Sequence, residues 1–311
     1  MRGKAHWRLR SRTLELGRRT LVMGVVNITP DSFSDGGLFL ASEKAIDHAL
    51  RLIGEGADIV DLGAESTRPG SRAGGTSANL QPAVSAEEEQ ERLLPVLERI
   101  LKILPHAVVS VDTYKAETAR AGLRAGAEIV NDVSGFMWDP TIADVCAEFH
   151  AGVVLSHARG RPEEWRAQPQ LEPDVLMATV REGLAASLAA AERAGIPSDS
   201  VVLDPGYGFG KRFGENYVLL ARQAELLALG RPLLAGLSRK SFLGHTLAPL
   251  FGGEPAPIAA RENASLAAMT AAILHGASIV RVHAVRPAVE AARIADAILK
   301  PVHRKPDGNA E

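Results

Sequence analysis

Eight short apolar runs, each ending on a polar residue and each followed by an amphipathic stretch, constrain this 311-residue chain more than any other feature. The runs are LVMGVVN (21–27), DIVDLG (58–63), AVVSVD (107–112), EIVND (128–132), GVVLSH (152–157), SVVLD (200–204), PLLAG (232–236) and SIVRVH (278–283). Continuous apolar segments of this length, rich in Val and Ile, are expected for parallel strands buried on both faces. Between and after them the pattern predicts helices over 42–55, 86–103, 114–125, 140–149, 174–194, 215–228, 261–275 and 287–299. Eight strand–helix alternations with no linker predict one α/β domain over 1–311, a single (β/α)8 TIM barrel. Its barrel spans 20–300, with short polar extensions at both ends. A doubly wound open sheet is the alternative, but it has fewer strands and a nucleotide fingerprint near its first turn.

Local signals punctuate the pattern. Ser85 followed by Glu88 reads as a capping box. Asp139-Pro140 reads as an N-cap before a first-turn proline. Gly56, Gly126, Gly152, Gly195 and Gly276 fall where helices stop, and an x-Gly-Ala break recurs at 55–57, 125–127 and 275–277. Two connections are long: 28–41 after the first run and 64–84 after the second, the latter rich in Gly, Ser, Arg and Pro. Long loops inside compact domains are usually functional. The acidic run Glu87-Glu88-Glu89 reads as a solvated first turn favoured by the helix dipole. Trp7, Trp138 and Trp165 read as packing residues, and Cys146 as a buried, inert thiol.

Composition excludes several classes. Lys plus Arg total 35 against 37 Asp plus Glu, which argues against a basic nucleic-acid-binding coat. With 46% hydrophobic and 23% charged residues the chain is not disordered. The longest uncharged, mostly apolar stretch, 264–274, is far short of the roughly 20 residues that span a bilayer. Neither a nucleic acid nor a membrane is therefore an expected partner. A single cysteine allows no intrachain disulfide and fits a reducing compartment. The basic start MRGKAHWRLRSR lacks the apolar segment of a secretory signal, so the cytoplasm is the expected location. GYGFGK (206–211) lacks the spacing and the Ser/Thr of a phosphate-binding P-loop; it reads as a turn that lets backbone approach a ligand. No histidine pair has zinc-site spacing beside a third ligand, so no structural metal is expected. Gly-x-Ser-x-Gly is absent, which gives no support to an α/β-hydrolase.

In such a barrel the active site lies where strands end and helices begin. The polar residues there are Asn27, Asp61, Asp112, Asn131, His157, Asp204, the group Ser238-Arg239-Lys240, and Arg281 with His283. One strand-end Asp or His is explained as a helix cap. All eight ends converging are not. Asp112, Asn131 and Asp204, with Lys240 beside them, suit a planar nitrogen-rich heterocycle: carboxylates accept from ring N–H and NH2, and an amide does both. Arg68, Arg281, His283 and Asn27 offer donors and positive charge for phosphate oxygens. The pattern reads as a heterocycle–phosphate ester pocket with an acceptor rim and a cationic rim.

Several of these stretches are motifs. MGVVNITPDSFSDGG (23–37), DLGAESTRPGS (61–71), SVDTYKAETARAGLRAGAEIVNDVSG (110–135), LDPGYGFGK (203–211), GLSRKSFLG (236–244) and RVH (281–283) closely resemble the signatures of the dihydropteroate synthase family, in order, over about residues 15–299. The resemblance implies a (β/α)8 barrel that joins 6-hydroxymethyl-7,8-dihydropterin diphosphate to 4-aminobenzoate, giving 7,8-dihydropteroate and pyrophosphate with Mg2+. It implies that pterin lies against Asp112, Asn131, Asp204, Lys240 and Gly236. Pyrophosphate would meet Asn27, Thr67, Arg68, Arg281 and His283, with Asn27 also at the metal. Aminobenzoate would meet Phe33, Thr67, Pro69, Phe209 and Ser241 under the two long loops. Asp112, Lys240, Asp35 and Arg68 would carry the chemistry. Members of the family are commonly homodimers and are sulfonamide targets.

The implied chemistry accounts for these residue types. An aromatic amine is a weak nucleophile, so the C–O bond is expected to break early, with carboxylates stabilising an electron-poor pterin methylene and cations holding the leaving group. Three features depart from the family: Ala284 where His is usually followed by Asp, Ala158 where His is often followed by Met, and an insertion over 72–81. Two other readings of the barrel are a pterin-dependent methyl-transfer domain and a pterin-binding paralogue without turnover. The TPDSFSDGG and STRPG loops argue against the first; Asp35, Arg68 and Lys240 argue against the second.

Overall fold

A computed structural model of the chain describes residues 3–28, 37–65 and 84–300. Eight parallel strands close into a barrel in which each pairs with its sequence neighbours. They are β3 (Leu21–Asn27), β4 (Ile59–Gly63), β5 (Val109–Asp112), β6 (Ile129–Asp132), β7 (Gly152–Ser156), β8 (Val201–Asp204), β9 (Leu233–Ala235) and β10 (Ala277–Val282), with β10 returning to β3. All eight predicted runs are strands, and the architecture is the expected (β/α)8 barrel.

The helices follow as predicted, with local differences. They are α1 (Gly37–Gly54), α2 (Ala86–Ile103), α3 (Ala116–Arg124), α4 (Thr141–Glu148), α5 (Pro173–Arg193), α6 (Phe213–Arg222), α8 (Glu262–Leu274) and α9 (Val285–Leu299). A six-residue helix, α7 (Ser241–Thr246), and two 3-10 turns precede α8. The stretch predicted as one helix over 215–228 tightens after Arg222 into a 3-10 segment, Gln223–Leu229. Ser85 caps α2 by accepting from Glu88 N–H, 3.1 Å, but the Glu88 carboxylate pairs with Arg92 instead of reaching back. Asp139 accepts from Thr141 N–H at the start of α4.

The x-Gly-Ala breaks are helix C-caps. Gly56, Gly126 and Gly276 have φ of 106°, 112° and 102°. Ala57 N–H and Ala127 N–H bond back five residues, to the carbonyls of Leu52 and Gly122. These left-handed turns close the helices as glycine permits and side chains resist. Gly152 departs from the expectation. The left-handed residue ending α4 is His150, φ 53°, and Gly152 is the first residue of β7. A Cβ at Gly152 would lie 2.4 Å from Leu9 Cδ2, so glycine is required there for packing.

Leu9 belongs to an element that sequence patterning did not show. The N-terminal extension, expected to be short and polar, is a β-hairpin of β1 (Ala5–Arg8) and β2 (Thr13–Leu16). Its Trp7, Leu9 and Leu16 join Leu21, Met23, Ile59, Ile129, Val154, Val202, Leu234 and Ile279 in one cluster inside the barrel. The hairpin plugs the end opposite the strand C-termini. Trp7 is fully buried and donates its indole N–H to the Ser200 carbonyl, 3.0 Å. Arg10 donates to the Ala127 carbonyl, and the buried Glu128 accepts from Ser11 N–H at 2.8 Å. The second core lies between strands and helices and contains Val22, Val26, Val60, Leu62, Val130, Leu155, Leu203 and Val280. Cys146 sits in it, fully buried. Among the described residues, no helix is long and apolar enough to cross a membrane.

Trp7→Ala should empty the plug and lower stability by about 3–5 kcal/mol. Urea unfolding followed by circular dichroism checks this; an unchanged midpoint would show that the hairpin does not seal the barrel.

Candidate active site

Alternation along the strands builds the pocket. Successive side chains of a strand face opposite sides, so each residue two positions beyond a barrel-filling residue also faces inward. Ile59 fills the barrel and Val60 faces the helices, so Asp61 points in. The same step leads from Ile129 to Asn131, from Val202 to Asp204, from Leu234 to Gly236 and from Ile279 to Arg281 and then His283. In β5 it leads from Val108 through Ser110 to Asp112, and in β3 from Met23 to Asn27.

One expectation fails on this parity. Val154 faces inward, so Ser156 does too, and His157 faces out. Its ring packs on α5, where a Cβ at Gly183 would come within 2.4 Å of His157 Cδ2. Burial first, then Lys211 and Arg159, hold its pKa well below the ordinary value. His157 is therefore a neutral packing residue outside the pocket.

Three strands meet at Arg281. Its Nε donates to Asp61 Oδ2 at 2.6 Å and its NH2 to Asp112 Oδ2 at 2.6 Å. Asn131 Nδ2 donates to the same Asp61 Oδ2 at 3.0 Å, and the register places Asn131 opposite Asp112. Asp204 Oδ1 accepts from Gly206 N–H at 2.8 Å. The two rims expected from sequence are thus not separate: Arg281 lies within the acceptor floor. Gly236 keeps that floor open, since a Cβ there would sit 3.7 Å from Asp204 Oδ2 and 3.9 Å from Arg281 Cβ.

Burial and mutual charge tune the ionisable groups. Burial pushes the Asp112 carboxyl up to about 7, against the opposing pull of Arg281. Burial also raises Asp204, opposed by the Gly206 N–H and by Lys240. Lys240 is brought down to about 8 by burial, with Asp204 opposing. Arg281 loses hydration by burial, but Asp61 and Asp112 more than compensate and raise its pKa.

The loop after β8 presents Phe209 to this floor. Lys240 Nζ stands 3.8 Å from the Phe209 ring centroid, a cation–π contact, and Phe209 leans on Trp165 at 5.0 Å. Gly206, Gly208 and Gly210 all have positive φ. Lys211, the last residue of the GYGFGK turn, ties this loop from beneath. It is buried, and its Nζ donates to the carbonyls of Gly206 (2.8 Å), His157 (3.0 Å) and Phe209 (3.4 Å). Asn216 accepts from Gly208 N–H at 2.7 Å.

At the rim, His283 Nδ1 lies 3.0 Å from Ser238 Oγ, Asn27 is exposed at the end of β3, and Ser241 is exposed at the start of α7. Phe33, Asp35, Thr67, Arg68, Pro69 and the 72–81 insertion lie outside the described residues. Among the described residues, no three acidic, imidazole or thiol groups cluster so as to hold a metal ion.

Two features went unrecognised in the sequence. Asp61 was one strand-end acid among several, and only inward parity marks it as the partner of Arg281 and Asn131. Glu89 contradicts its reading as a solvated residue. It is 1% exposed and accepts from Lys115 Nζ at 3.0 Å and Thr118 Oγ1 at 2.8 Å. Lys115 also pairs with Glu65 at 2.5 Å. Its place on the buried stripe, four residues before Leu93, was the available signal.

This geometry has known relatives. The profile of the family described as pterin binding enzyme matches residues 23–283. The dihydropteroate synthase of Synechocystis sp. is 40% identical over 282 residues, 91% of each chain. The chain belongs to the dihydropteroate synthase family. A 39% identical relative, the mitochondrial folate synthesis bifunctional protein of Pisum sativum, is longer, and the chain spans 55% of it. Among solved structures, Xanthomonas albilineans dihydropteroate synthase with 4-aminobenzoic acid is 39% identical with a TM-score of 0.81, covering 96% of this chain and 100% of that one. The Clostridium difficile dihydropteroate synthase, solved in the presence of pteroic acid, is 38% identical with a TM-score of 0.79, covering 92% and 99%. Membership makes the protein a transferase of the dihydropteroate synthase type.

Within this family the departures now have positions. Ala284 is the N-cap of α9 and makes no side-chain cap, so the Asp usual in the family would have filled a capping position. Ala158 precedes Arg159, which pairs with the buried Glu215 at 3.4 Å.

Lys211→Met should leave the His157 carbonyl without a donor, while the Gly206 and Phe209 carbonyls keep Phe209 N–H and Arg159 N–H, and should destabilise the protein by about 1–3 kcal/mol. Thermal unfolding beside wild type measures it; an unchanged midpoint would show that the clamp contributes nothing.

Proposed function

We propose that the protein joins 6-hydroxymethyl-7,8-dihydropterin diphosphate to 4-aminobenzoate, releasing 7,8-dihydropteroate and diphosphate. The observation that carries this reading is the acceptor floor of Asp112, Asn131 and Asp204, from β5, β6 and β8, the last two residues buried and Asp112 19% exposed, with Arg281 and Lys240 among them. Such a floor accepts from the ring N–H and amino groups of a pterin while cations wait at its edge.

In this reading the pterin ring rests on Asp112, Asn131, Asp204, Lys240 and the open face of Gly236. Asn27, Thr67, Arg68, Arg281 and His283 take the diphosphate, and Phe33, Thr67, Pro69, Phe209 and Ser241 take the aminobenzoate. The methylene–oxygen bond breaks early, and its electron pair leaves on the diphosphate oxygen. The amine nitrogen then bonds to the methylene carbon and gives up one proton to water. Asp112 as carboxylate stabilises the electron-poor pterin, and the cationic side chains hold the leaving group. Asp35 and Arg68 serve the same step.

Mg2+ usually keeps several waters and binds substrate phosphates with few protein ligands. Asn27 supplies one exposed amide oxygen at the strand end, which fits an ion arriving with the diphosphate. Bound there, Mg2+ would neutralise charge developing on the leaving group. We also read the protein as a cytoplasmic homodimer; Ile294 and Ile298, one turn apart on α9 and each more than 60% exposed, are an apolar pair of the kind a subunit contact covers.

Turnover tests the reaction. Purified protein given the pterin diphosphate, 4-aminobenzoate and Mg2+ should form dihydropteroate and pyrophosphate in equal amounts, and Lys240→Ala should lower the rate by about 100-fold. A folded wild-type protein that binds the pterin diphosphate yet forms no product would favour the paralogue without turnover.

Affinity should also follow pH. The accepting form of Asp112 is the carboxylate, which is lost as pH falls through about 7. One such proton makes pterin diphosphate bind about tenfold more weakly at pH 6 than at pH 8. Calorimetry at the two values measures this, and Asp112→Asn should flatten the difference.

A further inference from the structure

Arg281 faces two carboxylates in unlike surroundings. The Asp61 side chain is completely buried, whereas that of Asp112 is 19% exposed. Asp61 pairs in register with Ser110, which places Asp112 one inward layer higher, toward the open end. A single Asp61 oxygen, Oδ2, accepts from both Arg281 Nε and Asn131 Nδ2, so it orients side chains on two other strands. Its second oxygen, Oδ1, is buried and has no hydrogen-bond partner among the described residues, nor does Ser110 Oγ across from it. A carboxylate kept for stability alone would have both oxygens satisfied; buried orphans mark sites where function sets the residue.

We propose that Asp61 is a positioning residue for the pterin: it anchors Arg281 through Nε, so that the outer Arg281–Asp112 pair can open to a ligand while the guanidinium stays in the pocket. The assignment rests on the pterin reading above. When pterin binds, Asp112 exchanges the Arg281 NH2 for a ring N–H, and Arg281 keeps Asp61 as its counter-charge. The exposed pair is the exchangeable one, because water and ligands reach it; the buried pair is permanent, because breaking it strands two charges away from water. Without the Asp61 charge, Arg281 would rely on Asp112 alone, and a ring that claims Asp112 would release the guanidinium from its fixed place in the floor.

The test is Asp61→Asn, which keeps the side-chain shape and removes the charge. Calorimetry should show pterin diphosphate binding weakened on the order of thirtyfold, while the KM for 4-aminobenzoate in residual turnover stays within about twofold. That split is what a general loss of structure would not give. An unchanged pterin affinity, or an equal rise in both constants, overturns the role. Should the variant fail to fold, the wild-type protein decides. With arginine labelled by 15N, the Arg281 Nε–H resonance, assigned by its absence in Arg281→Lys, should exchange slowly with and without pterin diphosphate. Rapid exchange on ligand addition overturns the anchor. A wild-type protein that binds no pterin diphosphate overturns the functional reading and this role with it, an outcome distinct from normal binding by Asp61→Asn.

Discussion

The guanidinium of Arg281 between Asp61 and Asp112 is the interaction on which the pocket depends. Moving one charge out of water costs several kcal/mol even after relaxation. Here three charged side chains, from β4, β5 and β10, share the interior of one barrel. They are tolerable there because each carboxylate has the same cation within 2.6 Å and because Asn131 adds a neutral donor. The sum of two carboxylates and one guanidinium is still one negative charge, and Asp204 adds to it while Lys240 offsets it. Burial, opposed by Arg281 and aided by the Asp61 charge, accounts for an Asp112 carboxyl near 7, while Asp61 and Asp112 hold the arginine firmly protonated against its own burial.

Such a floor requires a dry foundation. The hairpin supplies it, with Trp7, Leu9 and Leu16 closing the lower barrel so that water does not reach the charged layer from below. Gly152 belongs to the same arrangement, because a side chain there would collide with Leu9. The two ends of the barrel thus divide the work: apolar packing at the N-terminal ends of the strands, paired charge at the C-terminal ends. In between, one strand step of two residues converts Ile59 into Asp61, Ile129 into Asn131 and Ile279 into Arg281.

Much of this was legible in the sequence, for a physical reason. Strand interiors must be apolar on both faces, so their polar ends stand out, and the eight runs located the barrel and Asp112, Asn131, Asp204 and Arg281 directly. What stayed hidden depends on long-range neighbours. His157 was assigned to the pocket because it ends a run, but a one-residue shift in parity turns a side chain to the opposite face. The hairpin strands are four residues each and their apolar residues meet partners far away in sequence, Trp7 with Ser200 across 193 positions. Glu89 looked like part of a charged run because its partners, Lys115 and Thr118, lie on the next strand–helix unit. Arg281 was placed on a phosphate rim because a cation is expected beside an anion; that it first serves Asp61 and Asp112 is visible only when three strands are folded together.

The pairing of Arg281 also bears on how one small pocket can handle a flat acceptor-seeking ring and a strongly anionic leaving group. A cation dedicated to the leaving group alone would sit unpaired before substrate arrived, and burial would oppose its charge. A cation paired only with one carboxylate would surrender that carboxylate to the ring and lose its fixed place in the floor. With two carboxylates at different depths, neither problem arises. The deeper one, Asp61, maintains the charge of Arg281, and the shallower one, Asp112, remains available to the ring. In the reaction proposed above, Asp112 is a carboxylate when an electron-poor methylene develops, and an adjacent, anchored guanidinium favours that form. The order of the layers, apolar plug, anchored arginine, exchangeable carboxylate, follows from the period-two alternation of the strands, so the electrostatics of the site are set by the same rule that builds the barrel.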